Sequence, residues 1–317
     1  MRIAFEQRAA TVLYQLLRSR RDERPWLLPS NVCPIVPLTF LKAGARVEWI
    51  DIDPETLCMD ARELLHRVTQ HPDRYAGTLF VHTYGRLQPV KGLIAAMHQV
   101  SPESLFIDDR CLDFPQFHPP TSGADVTLFS SGYAKPVDIG FGGFAYVDET
   151  IPYEREQLDF NDEALTTITQ RYKEAIAAER PIRNADGDWL DTGVPEISFD
   201  DYRSRVEAST VIAKRHRERL RAIYSERIPS RYLISAGEWR THIRIPERDR
   251  FLRSLFEAGL FAGDHYAPVS TLFGETPAPV ASALHAEIVN LFDDRYYSPE
   301  QAERSCALLK DHLAQCR

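Results

Sequence analysis

The chain has 317 residues, of which 44% are hydrophobic and 26% charged, and it carries a net charge of −8. That length supports a substantial core in one large or two moderate domains, and the composition excludes a disordered chain. The negative balance argues against nucleic acid or an anionic membrane as the main partner, and no apolar run approaches the roughly 20 residues of a membrane span.

The N-terminal stretch MRIAFEQRAATVLYQLL lacks the cleavage pattern of a secretory leader. Helical spacing starts at Ala9 and runs to Leu17. Strand-like runs follow at residues 26–28, 47–52, 78–82, 105–107, 126–129 and 144–147, and helical patterns at 61–69 and 92–99 lie between them. Short, nearly continuous apolar strands alternating with helices predict a mainly parallel sheet covered on both faces. The last two runs are joined through residues 130–143 without a helical period, so that pair should be antiparallel and the sheet mixed. Residues 181–197, with Pro, Gly and Asp, read as a long loop.

Ser198 should cap a long helix, with Asp201 in its first turn. Phe199, Tyr202, Val206, Ala213, Leu220 and Ile223 keep helical spacing to about Glu226, and Pro229 closes it. The remainder reads as a smaller α/β unit. RYLIS and WRTHIRI are its strands, ERDRFLRSLFEAGL is a helix stopped near Gly259, and SPEQAERSCALLKDHL is a final helix with Ser298, Pro299 and Gln301 in a capping box. The expected organisation is a large domain over 1–197, a bridging helix over 198–227 and a small domain over 228–317. The basic runs RSRRDER and KRHRERLR read as solvated helix faces. Five cysteines without paired spacing show neither a disulfide framework nor a zinc site, which suits a cytoplasmic protein without a metal.

In open α/β sheets, ligands bind beyond the carboxyl ends of the strands. At those ends stand Ser30 and Asn31, then His82, Thr83, Tyr84 and Gly85, then Asp108 and Asp109, then Ser130, Ser131 and Lys135. Singly, each has an ordinary reading: an exposed loop lysine, a turn or cap aspartate, a turn serine, a satisfied core histidine. Together they meet the needs of pyridoxal phosphate (PLP). That cofactor requires a lysine to condense with its aldehyde, a carboxylate beside its pyridine nitrogen, and donors for its phosphate. Burial makes a lysine a better amine nucleophile. The glycines after Lys135 (Gly140, Gly142 and Gly143) are expected to let backbone approach the ligand closely.

These residues resemble the DegT/DnrJ/StrS family of PLP-dependent sugar aminotransferases. The resemblance runs through LLPSNVCPIVPLTFLKAGARVEWIDIDPETLCMD, LFVHTYGRLQPV, LFIDDRCLDFP, DVTLFSSGYAKPVDIGFGGFAYVDE and RDRFLRSLFEAGLFAGDHYAPV. It implies the fold type I PLP-dependent transferase architecture (an aspartate aminotransferase-like α/β fold), a homodimer, and amino transfer from glutamate to a nucleotide-linked keto-sugar for amino-sugar or surface-polysaccharide biosynthesis. By position, Lys135 would carry the cofactor and shuttle the proton, Asp109 would pair with the pyridine nitrogen, and Ser130 would bind the phosphate. Gln7 and Arg8 fall where the family has its phosphate turn, and Arg8 at a helix N-terminus suits that role. Tyr84, His265 and Tyr266 become candidates for the substrate mouth.

The chain departs from the pattern in several places. Cys33 stands where the family places an aromatic over the cofactor ring. Leu112 stands where a Gln or His would contact the ring hydroxyl. The family's cross-dimer segment has no counterpart in DWLDTGVPEIS, and the segment preceding the phosphate turn is short. Two rival readings follow: a PLP enzyme of the same fold acting on another small carbonyl compound or amino acid, and a non-catalytic relative. Retained Lys135 argues against the latter. Other enzyme classes lack their signatures, since no G-x-G-x-x-G follows a strand and no Walker A, G-x-S-x-G or H-E-x-x-H sequence occurs.

Overall fold

Nearly every residue of the central strands is buried, as expected for a sheet covered on both faces. The computed structural model describes residues 1–182, 184–234, 237–274 and 276–316. Its larger sheet comprises β1 (Arg2–Glu6), β2 (Trp26–Pro29), β3 (Val47–Ile50), β4 (Gly77–Val81), β5 (Leu105–Asp109), β6 (Val126–Ser130) and β7 (Gly143–Val147), in the order β1-β7-β6-β5-β4-β2-β3. The strands from β3 across to β6 are parallel, and β7 runs antiparallel to both β6 and β1. The sheet is therefore mixed, with the β6–β7 pair antiparallel as predicted.

Helices α1 (Ala9–Arg20), α2 (Ile35–Lys42), α3 (Ala61–Gln70), α4 (Lys91–Val100) and α5 (Asp162–Ala177) accompany that sheet. The long α6 (Phe199–Arg227) starts where predicted, with the Ser198 hydroxyl accepting the Asp201 N–H at 3.1 Å. Beyond it lie β8 (Thr241–Arg244), α7 (Arg248–Glu257), β9 (Ala262–Gly263), α8 (Pro279–Glu287), β10 (Ile288–Leu291) and α9 (Pro299–Gln315). The smaller sheet has the order β8-β10-β9, and α9 opens on the predicted Ser298–Gln301 capping box.

Several elements escaped the sequence reading. β1 is an edge strand whose first two residues are not buried, so it lacks the continuous apolar run that marks its neighbours. α2 carries Pro34 at its cap and Pro37 in its first turn, where the missing N–H groups have no helical partner anyway. α5 is capped by Asn161, whose side chain accepts the Glu163 N–H at 2.8 Å. β10, at the centre of the smaller sheet, was also missed.

Other expectations need correcting. The predicted run 47–52 stops at Ile50, because Asp51 turns its carboxylate to the Val280 and Ala281 N–H groups at the start of α8, 2.8 and 3.1 Å away. The predicted strand RYLIS is a short 3-10 turn over Ser230–Tyr232 followed by a single bridge from Leu233 to Ile243. Ser235 of that strand and Arg183 of the predicted loop lie outside the described residues. The run KRHRERLR is not wholly solvated: Arg217 is buried and ion-paired with Asp293, which Arg221 also meets at 2.8 Å. All five cysteines are free. Among the described residues, no helix is long and apolar enough to cross a membrane.

Candidate functional site

Successive residues of a strand face opposite sides of a sheet, and this separates the two aspartates that end β5. Asp108 faces away from the site, bonded to His82 Nε2 at 2.6 Å and Arg110 Nε at 2.9 Å. His82 is completed by the Gln88 N–H, which donates to its Nδ1 at 3.0 Å, so it is a satisfied core histidine. Asp109 instead borders a cavity of about 330 Å³. One of its oxygens accepts the Cys111 N–H at 2.8 Å. Burial pushes its carboxyl above the usual range, opposed by the Cys111 hydrogen bond and by the Lys135 charge.

The same cavity is bordered by Arg8, Ser130 and Gly132. Arg8 is the N-cap of α1, and its guanidinium donates to the Gly140 carbonyl at 3.3 Å. The first N–H groups of α1, at Ala9 and Ala10, have no protein acceptor among the described residues, as helix geometry dictates. A Cβ placed on Gly132 would stand 3.7 Å from both Arg8 Nη1 and Ser130 Oγ. The missing side chain thus leaves room between a guanidinium, a hydroxyl and a helix N-terminus, a donor set suited to a phosphate.

Lys135 is half-buried and lies on the loop between β6 and β7. The loop is tied down on several sides. The Ser131 hydroxyl donates to the Phe141 carbonyl at 2.8 Å and lies 2.7 Å from the Tyr202 hydroxyl of α6. The Trp239 indole N–H donates to the Ala134 carbonyl at 2.7 Å. Lys135 borders the cavity, and its charge acts on Asp109, Cys33 and Cys111. Its amine makes no hydrogen bond or ion pair with another described residue. It also borders a smaller cavity of about 140 Å³ along α6.

Two of the glycines after Lys135, Gly142 and Gly143, admit protein atoms. A Cβ on Gly143 would lie 2.1 Å from the Ala9 backbone nitrogen, and one on Gly142, at φ +93°, would lie 2.3 Å from the Tyr202 ring. They let β7 approach the start of α1 and let α6 approach the loop.

Of the other residues singled out in the sequence, Cys33 and Tyr266 border the cavity. Burial raises the Cys33 thiol and keeps it neutral. Gln7 does not border it; its side chain reaches the Val194 carbonyl at 3.4 Å. Tyr84 is fully buried behind Tyr266, with ring centroids 6.0 Å apart. His265 is exposed beside Asp264 and outside the cavity lining. The reading missed the far wall: Leu165, Thr169 and Tyr172 of α5, and Trp189, Leu190 and Asp191 after it. Their signal was the Asn161 cap followed by apolar residues at helical spacing.

No family model and no curated protein matches the sequence. Solved structures match it in shape. A DegT DnrJ EryC1 StrS aminotransferase from Brucella abortus is similar at TM-score 0.68 and 15% identity, over 98% of this chain and 86% of that one. The PLP form of the sugar aminotransferase Spr1654 from Streptococcus pneumoniae is similar at TM-score 0.70 and 16% identity, over 98% and 86%. Helicobacter pylori PseC, an aminotransferase of pseudoaminic acid biosynthesis, is similar at TM-score 0.68 and 15% identity, over 98% and 86%. This is the fold expected from the sequence: a PLP-dependent transferase architecture of fold type I.

Proposed function

We propose that the chain is a PLP-dependent aminotransferase that moves an amino group from glutamate to a nucleotide-linked keto-sugar. One observation carries the cofactor assignment: Lys135, Asp109 and the Arg8–Ser130–Gly132 cradle border a single cavity. The sugar acceptor rests on the similarity in fold to proteins named as sugar aminotransferases and to DesI, solved in the presence of its TDP-sugar product.

Arg8, Ser130 and the opening N–H groups of α1 would hold the cofactor phosphate. Asp109, whose burial disfavours its charge, would ionise fully once a protonated ring nitrogen lay beside it, forming a buried charge-assisted pair. When bound, PLP supplies an electron sink for the bond electrons released at the substrate carbon. Lys135 Nζ would hold the cofactor through its aldehyde carbon and, once displaced by the incoming amine, would carry the proton between the substrate carbon and that cofactor carbon. Tyr266, on the cavity wall, is a better candidate for the substrate mouth than Tyr84 or His265, which lie off it. The same reading includes a homodimer, a cytoplasmic location and the division at residues 197 and 227 proposed from the sequence.

The test is a two-stage spectrum. Glutamate added to the PLP-loaded protein should convert the cofactor absorbance to its amine form, and a keto-sugar nucleotide should restore it. A loaded protein that no amino donor converts would contradict an aminotransferase. Conversion by glutamate that only non-sugar carbonyl compounds reverse would contradict the sugar acceptor alone.

A further inference from the structure

The cavity walls next to Asp109 are unusually small at two points. Cys33 borders it after β2 and Cys111 after β5. A flat ring spanning from the Arg8–Ser130 cradle to Asp109 would meet thiols there. A cationic heteroaromatic ring is held better by an aromatic face, through stacking and quadrupole attraction.

Four aromatic side chains border the cavity: Tyr133, Tyr172, Trp189 and Tyr266. Tyr133 is 77% exposed. Trp189 is buried in the main core, its indole N–H bonded to the Ala185 carbonyl at 2.8 Å. Tyr266 already stacks on Trp239, with centroids 5.7 Å apart and ring planes 13° apart. Tyr172 is half-buried and has no aromatic neighbour among the described residues. Burial, with a smaller contribution from the Cys33 thiol, pushes its phenol up to about 12, and both residues border the cavity.

Tyr172 belongs to an element that lies over the site. Leu165, Thr169 and Tyr172 fall on one helical face of α5 and border the cavity together. Of the helix itself only Ile168 and Ala175 are fully buried, and its outer face carries exposed Gln170, Arg171, Lys173 and Glu174. The helix is anchored in the main core through Ile168 and Ala175 and turns Leu165, Thr169 and Tyr172 toward the cavity, so its amphipathic face can cover a bound molecule.

Resting on the cofactor reading above, we propose that α5 is a cofactor-retaining cover and that Tyr172 is a positioning residue lying against the cofactor ring. The aromatic face that the residue after β2 does not provide is supplied from a different element. The phenolic hydroxyl is not required; the ring is.

The experiment is a PLP titration of the full chain, read by visible absorbance and induced circular dichroism, with far-ultraviolet dichroism as a check on folding. Tyr172→Phe should keep wild-type affinity and signal. Tyr172→Leu, which preserves apolar packing on α5 but removes the π face, should weaken PLP binding about three- to tenfold and reduce the induced dichroism. A folded Tyr172→Leu chain with wild-type affinity and dichroism would overturn the proposal while leaving the cofactor reading intact. A wild-type chain that takes up no PLP would overturn both.

Discussion

The two walls of the cavity are built differently. On one side, Asp109 and Ser130 end neighbouring strands, and the ladder fixes them: Asp109 pairs in register with Leu128, and Ser130 with Gly143. On the other side, α5 and residues 185–191 lie across the opening, packed on the main core through Ile168, Ala175, Trp189 and Leu190, with residues 187 and 191 also tied by side chains that reach their carbonyls. Thr11 donates to Asp191 at 2.5 Å and Lys42 to Gly187 at 2.8 Å. Asp109 and Ser130 are thus fixed by the sheet ladder, whereas the residues of α5 that border the cavity sit on a largely exposed helix whose cavity face can change without altering the ladder.

Substitutions on the two walls should therefore differ in kind. The largest effect is expected at Lys135→Ala, which should abolish turnover and leave the melting temperature close to wild type, since the amine holds no other described residue. A variant that still turns over would place the reactive amine elsewhere. Asp109→Asn should lower kcat about 10²-fold by removing a charge preorganised for the cofactor ring. Near-normal rates with PLP bound would remove Asp109 from that role.

Gly143→Ala tests the rigid wall without touching its chemistry. Its Cβ would meet the Ala9 backbone nitrogen at 2.1 Å, and neither backbone can give way easily. A loss of about 1–3 kcal/mol of stability in chemical denaturation is expected, together with weaker phosphate binding at the displaced α1 terminus. Unchanged stability would show that the close approach of β7 to α1 is dispensable. The smallest effect belongs to the cover. Asn161→Ala removes the α5 cap and should cost about 1 kcal/mol or less, read as faster amide exchange in α5 with global stability nearly constant. A large global loss would mean that the α5 terminus is as rigidly coupled to the fold as the strand ends and that the contrast between the walls is false.

How much was legible in the sequence follows the same division. Strands β2 and β4 to β7 announce themselves as apolar runs, so the polar residues ending them, Asp109 and Ser130, could be placed before any coordinates. Lys135 followed from the same logic. The choice between Asp108 and Asp109 came from the resemblance, and strand alternation explains it. The cover was not legible, because α5 is mostly exposed and its cavity-facing residues look like those of any surface helix. Spacing alone cannot show what such a helix lies over. The packing role of Gly142 and Gly143 was not legible, since the atoms they admit come from Tyr202 and Ala9, distant in sequence. Arg217 was misread for the same reason: its partner, Asp293, lies 76 residues away.

The central claim is that the Lys135 amine carries the cofactor. It is tested most directly by loading the purified chain with PLP, reducing it with borohydride and mapping the modified peptide by mass spectrometry. The account predicts a single stoichiometric pyridoxyl adduct on Lys135, absent from Lys135→Ala. An adduct spread over surface lysines, or no adduct from a folded chain, would contradict it.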